Sequence, residues 1–377
     1  MMAIGQSRKR ISKQWKPSVW ELLVVCVVCV GFIIFGQWVQ NTGHRPLTQM
    51  QVAAQTMDSA ISAIAAHRQT VGPAIDLGTD INGTGLIGAF FTPMTTTTGN
   101  LESKRTTTNP NMAGLIVSLL LDAGVQQGEL VAVGASGSFP ALLLATCAAA
   151  DALELPVSLI LSLGSSQFGA NIAGFTWIDM VKVLADAGLP TIVPAAFSLG
   201  GDLDIARDLS TTAREWMQEI ISETDATFIY DADLASNVSQ RMGIYRQAAQ
   251  QSSIGAFVNI GGSWANLGID SSVLAAPPGL MLLESLPEEE KRGVIHQMQA
   301  DGVPVIHLLN MRELTQRYGL PWDPSPLPQP GEGMAKLLDE RSASRLIALI
   351  AVIVAILWLV SVLLRRKACQ SAVSSSS

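Results

Sequence analysis

The chain has 377 residues, 48% of them hydrophobic and 15% charged, with a formal net charge of −7. Its acids are concentrated in the middle: residues 40–344 hold 30 of the 31 Asp and Glu but 15 of the 24 Lys and Arg, a net −15. So acidic a body argues against nucleic acid as a partner, since phosphate backbones are bound by basic faces. Cys26, Cys29, Cys147 and Cys369 are too few and too scattered for a disulfide framework.

In chain order, residues 1–18 form a basic tail carrying Arg8, Lys9, Arg10, Lys13 and Lys16. Residues 19–39 are apolar for about the ~20 residues a helix needs to cross the hydrocarbon core, and 346–364 repeat the pattern. Arg365, Arg366 and Lys367 follow the second run in the tail 365–377. Basic flanks favour the cytoplasmic side, so the expected topology is two-pass, with both termini cytoplasmic and the body, 40–320, outside. The exit of the first run, Phe35-Gly36-Gln37-Trp38, lacks a small-x-small cleavage pattern and reads as a retained anchor.

Residues 48–69 have helical spacing and suggest a membrane-proximal helix. Short apolar runs then alternate with amphipathic ones, which predicts an α/β fold: a mostly parallel sheet with helices on both faces, flanked by one N-terminal and one C-terminal transmembrane helix. The expected strands are Leu86–Phe91, Leu130–Val133, Ser158–Ser162, Thr191–Ala196, Thr227–Tyr230, Gly255–Ile260 and Val303–Leu308. The expected helices are 110–124, 139–153, 177–187, 203–222, 234–250, 287–300 and 311–318, with a small subdomain around 263–286. Asp122-Ala-Gly124, Asp186-Ala-Gly188 and Asp301-Gly302 repeat one helix-ending grammar, in which a glycine supplies the left-handed cap. Five prolines between Pro321 and Pro330 make 321–345 an extended tether to the second span.

Three loops rich in Gly, Ser and Asn follow three expected strands: Gly134-Ala-Ser136-Gly137-Ser138, Gly164-Ser165-Ser166-Gln167-Phe-Gly-Ala-Asn171, and Gly261-Gly-Ser263-Trp-Ala-Asn266. Open α/β sheets bind ligands at such strand ends, where loop amides and helix N-termini receive anions. The first loop also approaches the nucleophile elbow G-x-S-x-G, departing from it at Ser138. Ser136 is the candidate nucleophile, and His307, at a strand end and later in the chain, is the candidate base. The polar stretch 92–110 adds adjacent bases, Lys104 and Arg105, with Thr106 and Asn109. They suit charge-assisted recognition of carboxylate or phosphate, Asn109 also fitting a helix cap. Asp202 and Asp204 offer two acids after a Gly-Gly turn, weak grounds for a cation. No metal motif or phosphate loop is present, and nothing calls for a cofactor.

The strings TTTTGNLESKRTTTNPN, VAVGASGSFPAL, SLGSSQFGAN, FTWIDM and GGSWANLG, across residues 45–320, resemble the bacterial poly-gamma-glutamate system protein family. The resemblance implies a bacterial inner-membrane component of poly-γ-glutamate synthesis or export, with its main domain extracytoplasmic. Its partners would be the lipid bilayer, other membrane proteins of that synthesis complex, and an anionic polymer or small anionic ligand. It brings no catalytic residues. Three functions stay open: an accessory component that binds the polymer or an anionic precursor, a serine-dependent hydrolase or transpeptidase acting on it, and a membrane-complex scaffold.

Overall fold

A computed structural model of the chain describes residues 47–334 and, beyond them, Ile353. The basic tails and the apolar runs 19–39 and 346–364, Ile353 apart, lie outside the described residues. Among the described residues no helix is long and apolar enough to cross a membrane.

Helix α1 covers 47–70 and buries Met50, Ala54, Met57, Ile61 and Ile64 along one stripe. There follow β1 (Thr95–Thr97), α2 (Leu101–Thr107), α3 (Asn111–Asp122), β2 (Leu130–Ser136), α4 (Pro140–Ala152), β3 (Val157–Ser162) and β4 (Ser165–Ser166). The chain continues through α5 (Trp177–Asp186), β5 (Ala196–Ser198), α6 (Thr211–Ser222), β6 (Thr227–Phe228), α7 (Leu234–Ala249) and β7 (Ile254–Ile260). Last come α8 (Trp264–Leu267), α9 (Ser272–Ala275), β8 (Gly279–Met281), α10 (Val294–Ala300), β9 (Val305–Leu308) and α11 (Met311–Tyr318).

Seven strands form one sheet in the order β6-β5-β3-β2-β7-β9-β8, parallel throughout except for β8, which runs antiparallel to β9 at one edge. Alternate strand residues serve opposite faces. Val131, Val133, Ala135, Leu159, Leu161, Val258 and Ile260 pack with α3 and α4, while Ala132, Ile160 and Phe257 pack with α7 and α10. The sheet is therefore buried on both sides, and its strands read as continuous apolar runs. From β2 the chain builds outward through β3, β5 and β6, then returns across β2 to lay down β7 and β9. The order reverses between β2 and β7, which puts the crevice beyond the carboxyl ends of those two strands.

Several boundaries differ from the sequence reading. Residues 86–91 make no strand: the Ala89 N–H donates to the Asn171 side chain, which donates back to the Ala89 carbonyl, and Gly88 and Ala89 also bond to Phe168. Residues 203–210 are not α-helical: Asp202–Asp204 form a single 3-10 turn, and Leu203, Asp204 and Ala206 take positive φ (51°, 61° and 51°) before α6. The polar stretch after Gly99 holds a helix, α2, with Asn100 as N-cap accepting from the Ser103 N–H at 2.7 Å. Residues 263–286 contribute the edge strand β8 to the main sheet. Gly124, Gly188 and Gly302 adopt the left-handed conformation that their sequence grammar requires.

The described part of the proline-rich segment packs against the body. Asp323 takes a bidentate pair of bonds from Arg105, at 2.7 and 2.5 Å. The Asn82 side chain donates to the Pro324 carbonyl, the Asn111 side chain to the carbonyls of Gln329 and Glu332, and Met334 is fully buried.

Candidate ligand-binding site

The crevice at the reversal point is a cleft of about 480 Å³. The loop after β2 supplies Ser136, Ser138 and Phe139; that after β3 supplies Gly164 and Ser166; that after β7 supplies Gly262 and Ser263. Thr96, Thr97, Asn100, Ser103 and Lys104 also line it, as do Asn310, Arg312 and Trp322. The three Gly/Ser loops therefore meet in one place. Among the described residues no Asp or Glu lines the cleft, although the surrounding domain is acidic.

Ser136 ends β2 with its Oγ buried and without a hydrogen-bond partner. Opposite it, Gly261 (φ +82°) lets the two loops close: a Cβ there would lie 2.8 Å from Ser136 Oγ. The N-terminus of α4, whose N-cap is Phe139, has no side-chain cap and starts at the cleft wall.

Lys104 is the electrostatic centre of the site. It is buried, and its Nζ donates to the Ser138 carbonyl at 2.5 Å and to Ser166 Oγ at 2.7 Å. The Phe139 ring lies beneath it, 3.7 Å from Nζ to the centroid. Among the described residues it forms no ion pair, and burial lowers the ammonium from its ordinary range to about 7. Arg312, exposed on the first turn of α11, stacks over Trp322 at 4.2 Å and makes no ion pair among the described residues.

Of the candidates expected from sequence, the structure brings Lys104, Ser136, Ser138, Ser166 and Ser263 to this cleft. The others are engaged elsewhere. Arg105 is held by Asp323. Thr106 bonds to the Glu102 carbonyl and receives the Asp323 N–H, and the Asn109 side chain accepts from the Asn111 N–H. Gly134 lies within β2, where a Cβ would meet Asn266 and Phe257. Gly137 exchanges backbone bonds with Ser162 and Ala170, Ser165 bonds to the Gly137 carbonyl, and Gln167 accepts from Gly99. Asn171 clamps Ala89 and Thr95, and Asn266 donates to Asn259.

His307 does not reach the cleft. It sits in β9, level with Asn259 of β7, whose amide donates to its Nδ1 at 3.0 Å, so the proton rests on Nε2. Burial lowers it to about 4, a neutral core histidine. The Ser136–His307 pairing is thus not assembled, and among the described residues no histidine lines the cleft. Neither acid after the Gly-Gly turn is open to a cation: Asp202 binds Arg207 and Asp204 binds Arg241. Among the described residues no group of three or more His, Cys, Asp or Glu is placed to hold a metal ion.

Sequence reasoning missed Arg312 and Trp322. Arg312 follows Val305–Leu308 at a strand end, the same signal that marked the other loops. Trp322 had none, because its segment reads as a spacer. Comparison with protein-family models, with curated proteins and with solved structures finds no match to this chain.

Proposed function

We propose that this protein is a membrane-anchored accessory component of poly-γ-glutamate synthesis or export, and that its cleft takes a carboxylate of the polymer or of an anionic precursor. The observation that carries the binding half is the cleft's charge: Arg312, a cation, and Lys104, protonated in part at neutral pH, form no ion pair among the described residues, and no acid among those residues lines the cleft. A carboxylate entering there gains charge-assisted bonds that the rest of an acidic surface does not offer. The polymer, the membrane and the partner proteins come from the family resemblance of the sequence.

The test is calorimetry of the purified full-length chain with poly-γ-glutamate at low and high salt. Binding should weaken as salt rises, and Arg312→Ala should weaken it about tenfold, one charge-assisted contact being worth about 1.5–3 kcal/mol. Unchanged affinity in Arg312→Ala would remove the cleft as the binding site.

A further inference from the structure

We propose that Ser166 and Lys104 are a nucleophile–base pair, and that the cleft hydrolyses an amide or ester of an acid bearing a second carboxylate. The proposal rests on reading the cleft as an anion site, with Arg312 holding that second carboxylate while the acyl group faces Ser166.

The geometry is that of an activated serine. Ser166 Oγ lies 2.7 Å from Lys104 Nζ, within the reach a general base needs. Both residues line the cleft. The Ser166 N–H is fixed by Ser138 Oγ at 3.0 Å, and Nζ is anchored on the Ser138 carbonyl, so one residue orients both partners. The Phe139 ring shields the amine from water on one side and favours the ammonium once it forms. Glu102 and Arg105 share its helix, Asp323 of the docked segment is bound by Arg105, and Arg312 lines the same cleft. None forms an ion pair with Nζ. A lysine without a counter-ion and lowered to about 7 holds a substantial amine fraction at neutral pH.

In the amine form the hydrogen bond reverses and the Ser166 hydroxyl donates to Nζ. Oγ attacks the acyl carbon and its proton passes to Lys104. The carbonyl π electrons become an oxyanion, which the uncapped N-terminus of α4 at the cleft favours. Collapse breaks the bond to the leaving nitrogen or oxygen, which takes the proton from the Lys104 ammonium, leaving an ester on Ser166. Water then attacks that ester, giving one proton to Lys104. The acid is released, and the proton returns to Ser166 Oγ.

The experiment treats the full-length chain with a fluorophosphonate probe and locates the adduct by peptide mass spectrometry. A single adduct on Ser166 is expected, forming faster as pH rises through about 7. Ser166→Ala should abolish it, and Lys104→Met and Lys104→Arg should each slow it about 100-fold. The arginine variant keeps the cation and controls for folding by circular dichroism. No adduct, an adduct on Ser136, or a rate flat from pH 6 to 9 in the wild type would overturn the pair. Calorimetry of Ser166→Ala with poly-γ-glutamate separates the two readings. Polymer binding without a wild-type adduct removes the pair and leaves the anion site, whereas a Ser166 adduct without polymer binding upholds the pair and removes the polymer.

Discussion

Two polar clusters meet at the carboxyl end of the sheet, joined where Ser162 Oγ lies 3.3 Å from Ser263 Oγ. In the first, fully buried Asp204 accepts from Ser162, Ser198, Asn237 and Arg241 at 2.6–3.0 Å, and Arg241 also bonds to Asn237 and Ser198. In the second, the cleft, Lys104 has hydroxyl and carbonyl partners but no carboxylate, and Ser136 Oγ has no partner. One cluster pairs its charge within the fold and holds the loops at their positions, with Arg241 Nη1 left without a hydrogen-bond partner. The other leaves its cation without a carboxylate. Buried charge is costly unless paired, so this contrast separates scaffold from site better than residue type does.

The largest effect should come from breaking the paired cluster. Arg241→Met leaves the Asp204 carboxylate buried without its cation and should cost about 3–5 kcal/mol in chemical denaturation. Asp204→Asn added to it should restore part of the loss, since the uncompensated charge is then gone. A loss below about 1 kcal/mol in the single variant would mean that water reaches Asp204, and the contrast would fail.

Lys104 sharpens the same comparison through pH. Its ammonium is lowered in the folded protein to about 7 from an ordinary 10.5, so between those values the unfolded chain binds the extra proton. Stability therefore rises with pH across that window, and the contribution fades as pH falls through about 7. Measured against Lys104→Met, which cancels the other titrating groups, the wild type should gain about 2–3 kcal/mol between pH 7 and pH 9.5, at ~1.4 kcal/mol per pH unit less the relaxation a cleft allows. A difference that stays constant with pH would show that the amine is solvated and charged throughout.

The architecture was legible because a sheet covered on both faces writes itself as short apolar runs between amphipathic ones. The helix-ending glycines at 124, 188 and 302 carried local geometry that needs no tertiary context. Leu86–Phe91 has the composition of a strand, yet its backbone is satisfied by Asn171, a partner 82 residues away that no local pattern announces. The cleft was legible where it is built from strand-end loops and illegible where it depends on pairing. Lys104 and Arg105 are adjacent and equally basic, and only the fold gives one a carboxylate and buries the other beside Ser166. The same holds for Ser136 and His307: chain order suggested a triad, but β7 stands between their strands, and the serine beside a base is Ser166.

The smallest effect concerns Arg105, whose role is to dock the segment after Leu320. Its bidentate bond to Asp323 is partly exposed, with side chains 15% and 17% accessible, so Arg105→Ala should lower stability by only about 1 kcal/mol. The more telling readout is limited proteolysis. Asp323 is followed by Pro324, whose carbonyl is bound by Asn82, and by further bonds from Asn111 at Gln329 and Glu332. Losing the first of these attachments should raise nicking around 321–325 while leaving 329–334 protected. Because Trp322 lines the cleft and underlies Arg312, loosening this stretch frees the Arg312 guanidinium from its stacking partner without deleting the charge. Ligand affinity in Arg105→Ala should therefore fall less than in Arg312→Ala. An equal or larger fall would make Arg105 part of the recognition surface and erase the distinction between the two adjacent bases.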